Sequence, residues 1–175
     1  MTIIVGLQTE RGVIMGADSM ASTDFIARHL AIPKVFKRFG LVIGCSGAPF
    51  LINLLTYGDI DLEAPADLSM EWMVRRFVPA LREAIKAGEF DFEESSVMVG
   101  RGDKLFTVYV DYSVVCWNTP YAVIGSGSEF ALGSLTTSSL FRRDAETRVK
   151  AAIWATERYC PTVGGATVIV REWED

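Results

Sequence analysis

Thr2 stands directly behind Met1 and opens an apolar run, Thr2-Ile3-Ile4-Val5-Gly6-Leu7. Removal of Met1 leaves one residue with both a hydroxyl nucleophile and a free α-amine, and the amine can serve as the base that activates the hydroxyl. An unperturbed α-amine titrates at about 7.7–8.0, close to the operating pH that general-base work favours. Asp18 follows Thr2 by 16 positions, and Lys34 follows Asp18 by 16 more. Asp18 ends the apolar run Val13-Ile14-Met15-Gly16-Ala17, where an unpaired charge is costly. If the strands lie side by side, both charges reach Thr2. The ammonium then favours the deprotonated amine and hydroxyl, and the carboxylate holds the lysine. A structural ion pair at a sheet edge accounts for the spacing equally well.

Two glycine-bearing turns offer further groups. Gly47, in Ser46-Gly47-Ala48-Pro49, is a candidate oxyanion-hole donor, because a backbone N–H at a helix start points at developing negative charge. A plain turn glycine is the simpler reading. Gly125-Ser126-Gly127-Ser128 lacks the following Lys of a phosphate-cradling loop, so it reads as a tight strand-to-helix turn with a polar lining. His29 is the sole histidine and lies in the polar stretch 23–31. It reads as a solvated loop residue, which leaves no Ser-His-Asp relay. Cys45, Cys116 and Cys160 show no metal-ligand spacing, and Cys45 and Cys116 are expected as buried free thiols in apolar strands. No cofactor and no metal is expected.

These residues need strands to bring them together. Runs 2–9 and 13–19, joined by Glu10-Arg11-Gly12, predict a first hairpin. Runs 34–38 and 41–45 predict a second, around Phe39-Gly40, with 20–33 irregular between them. Pro49 suits a first helical turn, with Phe50, Leu51, Leu54 and Leu55 on the apolar face. Ser69 is placed to cap a helix on which Met70, Met73, Val74, Phe77, Val78, Leu81 and Ile85 recur at helical spacing. Short β-rich runs follow at 96–100, 105–110, 114–117 and 121–124. A helix then runs through about Thr137, a second is capped by Asp144, and a last strand covers 166–170. Strands in blocks and helices in pairs suit two stacked sheets with helices outside, not alternating βαβ units.

Composition narrows the function. The 175 residues carry a formal net charge of −5 and are half hydrophobic, which predicts one domain over 1–175 with a substantial core. No basic cluster could hold a phosphate backbone, so nucleic acid is not an expected partner. No apolar run reaches the roughly 18 residues of a membrane helix, and the N-terminus lacks a signal-peptide pattern. A soluble cytoplasmic protein is expected.

Taken in order, several fragments resemble the proteasome β-subunit family, in layout its bacterial HslV-type threonine peptidases. They are Thr2-Ile-Ile-Val-Gly, Gly16-Ala-Asp18-Ser19, Lys34, Val42-Ile-Gly-Cys-Ser-Gly47-Ala, Ile124-Gly-Ser126-Gly-Ser and Gly164-Gly165. The start directly behind Met1 is similar to the HslV type. The resemblance implies a four-layer αββα sandwich of two mainly antiparallel sheets flanked by helices, the N-terminal nucleophile hydrolase fold. It implies a polypeptide substrate, a homo-oligomeric ring stacked in pairs, and an ATP-dependent unfoldase or other activator as partner. It assigns Thr2 as nucleophile and base, Lys34 as the group that tunes it, and Asp18 as the holder of that lysine. Gly47 becomes the oxyanion donor, and Ser126 a hydrogen-bonding partner and proton shuttle at the amine. Where the family carries Asp-x-x-Ser-Gly-Gly, this chain has Cys160-Pro-Thr-Val163-Gly-Gly. A weak or inactive ring protein and an amidase acting on small amides are therefore the alternatives.

Overall fold

The computed structural model describes residues 2–22, 27–90, 92–141 and 143–174. Strands β1 (Ile3–Thr9) and β2 (Gly12–Ala17) form the first hairpin, with Ile4 opposite Ala17 and Thr9 opposite Gly12. Thr2 immediately precedes β1 and Asp18 immediately follows β2, so the register brings them to one edge. Next come β3 (Met20–Ser22), β4 (Ala27–His29), β5 (Val35–Arg38) and β6 (Leu41–Ser46), then helix α1 (Pro49–Tyr57). A helical stretch consists of α2 (Met70–Trp72), a π-helical turn (Met73–Phe77) and α3 (Val78–Ala87). Strands β7 (Ser96–Arg101), β8 (Lys104–Val108), β9 (Val114–Cys116) and β10 (Tyr121–Gly125), helices α4 (Ser128–Ser138) and α5 (Ala145–Tyr159), and β11 (Val168–Arg171) complete the order.

One sheet has the order β10-β1-β2-β11 and the other β5-β6-β7-β8-β9, and the ladders in both are antiparallel. Successive strand side chains point to opposite faces, which explains why β1 and β2 read as apolar throughout. Ile3, Val5, Leu7 and Ile14 pack with Leu135, Val149 and Ile153 of α4 and α5. Ile4, Val13, Met15 and Ala17 pack against Val35, Val42, Met98 and Leu105 of the facing sheet. The outer face of that sheet buries Ile43, Val97, Val99 and Phe106 against Leu51, Leu55, Phe77 and Leu81. Three apolar interfaces between four layers give the αββα sandwich. Each fully buried aliphatic side chain contributes on the order of 1.5–3 kcal/mol to the driving force.

Three details depart from expectation. The stretch expected to be irregular contains the antiparallel β3–β4 pair, with Met20 opposite His29; residues 23–26 lie outside the described residues. Cys45 is buried as expected, and burial pushes its thiol well above the ordinary cysteine range. Cys116 is exposed instead, because β9 is a three-residue strand at the sheet edge and has no layer over that position.

The third departure lies in the helix after Ser69, whose side chain accepts a hydrogen bond from Trp72 N at 3.2 Å as a cap should. Pro79 has no N–H to donate to the carbonyl four residues back, and its ring crowds that carbonyl. The wider π turn lies just ahead of it. Buried positions then recur every four residues, at Met73, Phe77, Leu81 and Ile85, while Met70 and Val74 are 40% and 52% exposed. Phe77→Ala should therefore cost about 3–5 kcal/mol, whereas Val74→Ala should stay within about 0.5 kcal/mol of the parent. Urea denaturation of both variants checks this. Equal losses would place Val74 back on the buried face.

Candidate functional site

Asp18 is the hub of the sheet edge where β1 and β2 meet. Its Oδ1 accepts from Ile3 N at 3.0 Å and from Lys34 Nζ at 2.8 Å. Its Oδ2 accepts from Met20 N at 3.2 Å and Gly164 N at 3.3 Å. Both Asp18 and Lys34 are buried. Lys34 Nζ also donates to Met20 O at 2.6 Å. Burial holds the Lys34 ammonium below the usual lysine range, and the adjacent Asp18 carboxylate opposes that shift. The even spacing of 16 thus corresponds to a fully ligated ion pair beneath Thr2. Neither the structural nor the chemical reading loses ground, since one pair can do both.

Thr2 is 4% exposed, and its hydroxyl makes no hydrogen bond among the described residues. It lines two cavities. One, of about 550 Å³, is bounded by Ala21, Arg28, His29, Leu30, Pro49 and Ile52, together with Lys34 and Gly47. The other, of about 580 Å³, is bounded by Ser46, Gly47, Glu93, Glu94, Gly125 and Ser126. Ser22 faces both. Met1 lies outside the described residues.

Two turns clamp this point. Gly125 has φ +102°, and Ser126 N donates to Thr2 O at 2.7 Å. A side chain at Gly125 would run into the Thr2 carbonyl, so only glycine allows β10 to close over Thr2. Gly47 has φ +105°, and a Cβ there would meet Ser95 Oγ and the Glu94 carbonyl within 2.6 Å. Ser95 Oγ accepts from Ala48 N at 3.2 Å and donates to Glu93 O at 3.1 Å, which pins the 93–95 loop to the Gly47 turn.

All five residues picked from sequence, Thr2, Asp18, Lys34, Gly47 and Ser126, come together at this edge. Sequence reasoning missed Ser22, Ser46, Arg28, His29, Glu93 and Glu94. Ser46 was within reach, since it sits beside Gly47 in the strand-to-helix turn. The others arrive from loops whose apposition no local pattern encodes. His29 is exposed, as a solvated histidine should be, yet it stands on β4 and faces the Thr2 cavity. Cys160 lies behind the Ser126 loop, with Sγ 3.3 Å from Thr162 Oγ1. Val163 is buried in the apolar cluster beside Ile3. Among the described residues, none of Cys160, Thr162 and Val163 lines either Thr2 cavity.

Removing one partner of a buried pair typically costs about 3–5 kcal/mol. Asp18→Ala removes the carboxylate beside Lys34 and the acceptor of three backbone N–H groups, whereas Lys34→Met leaves Asp18 with those three donors. Asp18→Ala should therefore be the more destabilising, by about 1 kcal/mol or more. Urea midpoints of the two variants provide the comparison, and the reverse order would mean that the backbone donors contribute little.

No protein-family model and no curated protein matches the sequence. Solved structures do match over nearly the full length. BPH of Thiobacillus denitrificans superposes with a TM-score of 0.78 at 16% identity, over 99% of this chain and 100% of that one; a second structure shows it in complex with epoxomicin. The Anbu complex of Pseudomonas aeruginosa, solved as a helical assembly, gives 0.69 at 17% identity over 96% and 80%. HslV of Trypanosoma brucei gives 0.68 at 16% identity over 96% and 97%. At these identities the likeness is one of fold: the chain has the HslV-like N-terminal nucleophile hydrolase fold of proteasome-family proteins.

Proposed function

We propose that this chain is a threonine-type endopeptidase that uses Thr2 after removal of Met1. The observation that carries this reading is the buried Asp18–Lys34 pair beside Thr2, whose hydroxyl has no hydrogen-bond partner among the described residues and which lines two cavities. In the reaction, the Thr2 amine takes the proton from Oγ1, and Oγ1 attacks the scissile carbonyl carbon. The Lys34 ammonium stabilises the charge left on oxygen, and Asp18 holds the lysine. The Gly47 N–H faces the oxyanion of the tetrahedral intermediate. Collapse breaks the C–N bond. The departing amine takes the proton from the Thr2 ammonium, with Ser126 as relay. Water, deprotonated by the same amine, then releases the second product and restores Oγ1.

The substrate is a polypeptide, and the chain works within a homo-oligomer. Phe130, Leu140, Phe141, Trp154 and Tyr159 leave an exposed apolar face on and beside α4 and α5, consistent with contact between copies. A ring, stacked in pairs, is the arrangement proposed. An ATP-dependent unfoldase or other activator supplies substrate, and the site is cytoplasmic. Among the described residues no helix is long and apolar enough to cross a membrane. One observation favours a weakly active ring protein instead. The position at which the family carries a serine is Val163, and its side chain is packed in the core.

Thr2→Ala should lower peptide hydrolysis roughly a thousandfold or more while leaving the thermal midpoint close to that of the parent. Intact mass after incubation with epoxomicin should show one added inhibitor on the mature parent and none on Thr2→Ala or on protein retaining Met1. A Thr2→Ala protein as active as the parent, or a mature parent that neither reacts nor cleaves, would falsify the peptidase assignment.

A further inference from the structure

The two cavities that meet at Thr2 differ in charge. The one bounded by Leu30, Pro49 and Ile52 is largely apolar, and its charged or titratable members are Lys34, Arg28 and His29. Among the described residues, the other one has no basic side chain, and its charged members are Glu93 and Glu94. These two belong to the run Glu89-Phe90-Asp91-Phe92-Glu93-Glu94, in which four of six residues are acidic. Among the described residues, neither Glu93 nor Glu94 forms an ion pair. Their loop is fastened in place by Ser95, which ties it to the Gly47–Ala48 turn.

A second, independent feature marks the same cavity as a place for a ligand. Ser46 is 8% exposed and lines it, and its Oγ makes no hydrogen bond among the described residues. The residue is nine-tenths buried, and its hydroxyl offers a donor and an acceptor to whatever enters the cavity. Ser46 lines the same cavity as Glu93 and Glu94, so a chain entering it meets all three residues.

We infer that this cavity is an acidic subsite that selects a lysine or arginine of the substrate polypeptide, on the opposite side of Thr2 from an apolar residue held by the other cavity. The inference rests on the peptidase reading for the nature of the ligand. Unpaired carboxylates attract a cation and repel an acidic residue, and partial enclosure reduces screening of both effects.

The test uses full-length Thr2→Ala protein, which binds without turnover, and fluorescent peptides with one leucine anchor. Lys, Glu or Ala is placed on the N-terminal or the C-terminal side of the anchor. In one of the two orders, anisotropy should show the Lys peptide binding about tenfold tighter than the Glu peptide, with a smaller difference at high salt. Adding Glu93→Gln and Glu94→Gln should bring the two within about twofold, and Glu93→Lys with Glu94→Lys should reverse the order. Both side chains are exposed, so these changes spare the core. Equal or absent binding of Lys and Glu peptides, or a preference that survives the Gln changes, overturns the subsite. A preference in Thr2→Ala beside a parent that neither cleaves nor reacts with epoxomicin overturns the peptidase reading and leaves the subsite standing. Cleavage by the parent with no preference does the reverse.

Discussion

The Asp18 carboxylate is the constraint from which the rest of the site follows. A charge taken out of water is tolerated only when its partners replace the lost solvent. Asp18 has four donors: three backbone N–H groups and one ammonium. Those donors come from the start of β1, the start of β3, the approach to β5 and the loop before β11. One residue therefore ties four chain segments together at the sheet edge where Thr2 begins β1. One of these four bonds holds Lys34, whose side chain is buried while its head reaches both Asp18 and the Met20 carbonyl. The geometry does not depend on a long side chain choosing one rotamer at a surface.

Layering supplies the rigidity around that point. β1 is flanked by β2 and β10, with helices on one face and the second sheet on the other. A residue at its start inherits the precision of a core strand while lying at the open edge of the sandwich. Binding and catalytic groups held on rigid elements keep their alignment better than groups on free loops. The two loops that do take part are each immobilised, Gly125–Ser126 by the Thr2 carbonyl and 93–95 by Ser95. Glycine at 47 and 125 is a steric requirement of this close approach as well as a conformational one.

Charge is distributed unevenly about Thr2. Basic and titratable groups lie with the apolar cavity, and carboxylates lie with the polar one. In the proposed peptidase reading, a polypeptide crossing Thr2 meets a gradient along its length, which orients it as well as holding it. The net charge of −5 does not reveal this asymmetry, because it sums over the whole surface.

Much of this architecture was legible in the residues themselves. Continuous apolar runs at Thr2–Leu7 and Val13–Ala17, joined by Glu10-Arg11-Gly12, marked the central hairpin, and that hairpin's register placed Thr2 beside Asp18. Ser69 and Asp144 marked helix starts because capping is a local bond, and both caps form. The glycines of 125–128 and Gly47 marked turns for the same reason. What lay beyond the sequence required contacts between distant segments. Pro79 made a break in the Met70–Ile85 helix foreseeable, but whether the chain kinked or widened depended on the sheet it packs against. Cys116 looked buried by composition and is exposed because β9 ended up at an edge. Glu93, Glu94, Arg28 and His29 carry no periodic signal, and their place beside Thr2 exists only once β6, β10 and the β3–β4 pair converge. The sequence alone determined which residues favour strands, helices and turns, because those preferences act over a few bonds. The tertiary structure decided which of them share a cavity, because apposition depends on long-range packing that no single segment contains.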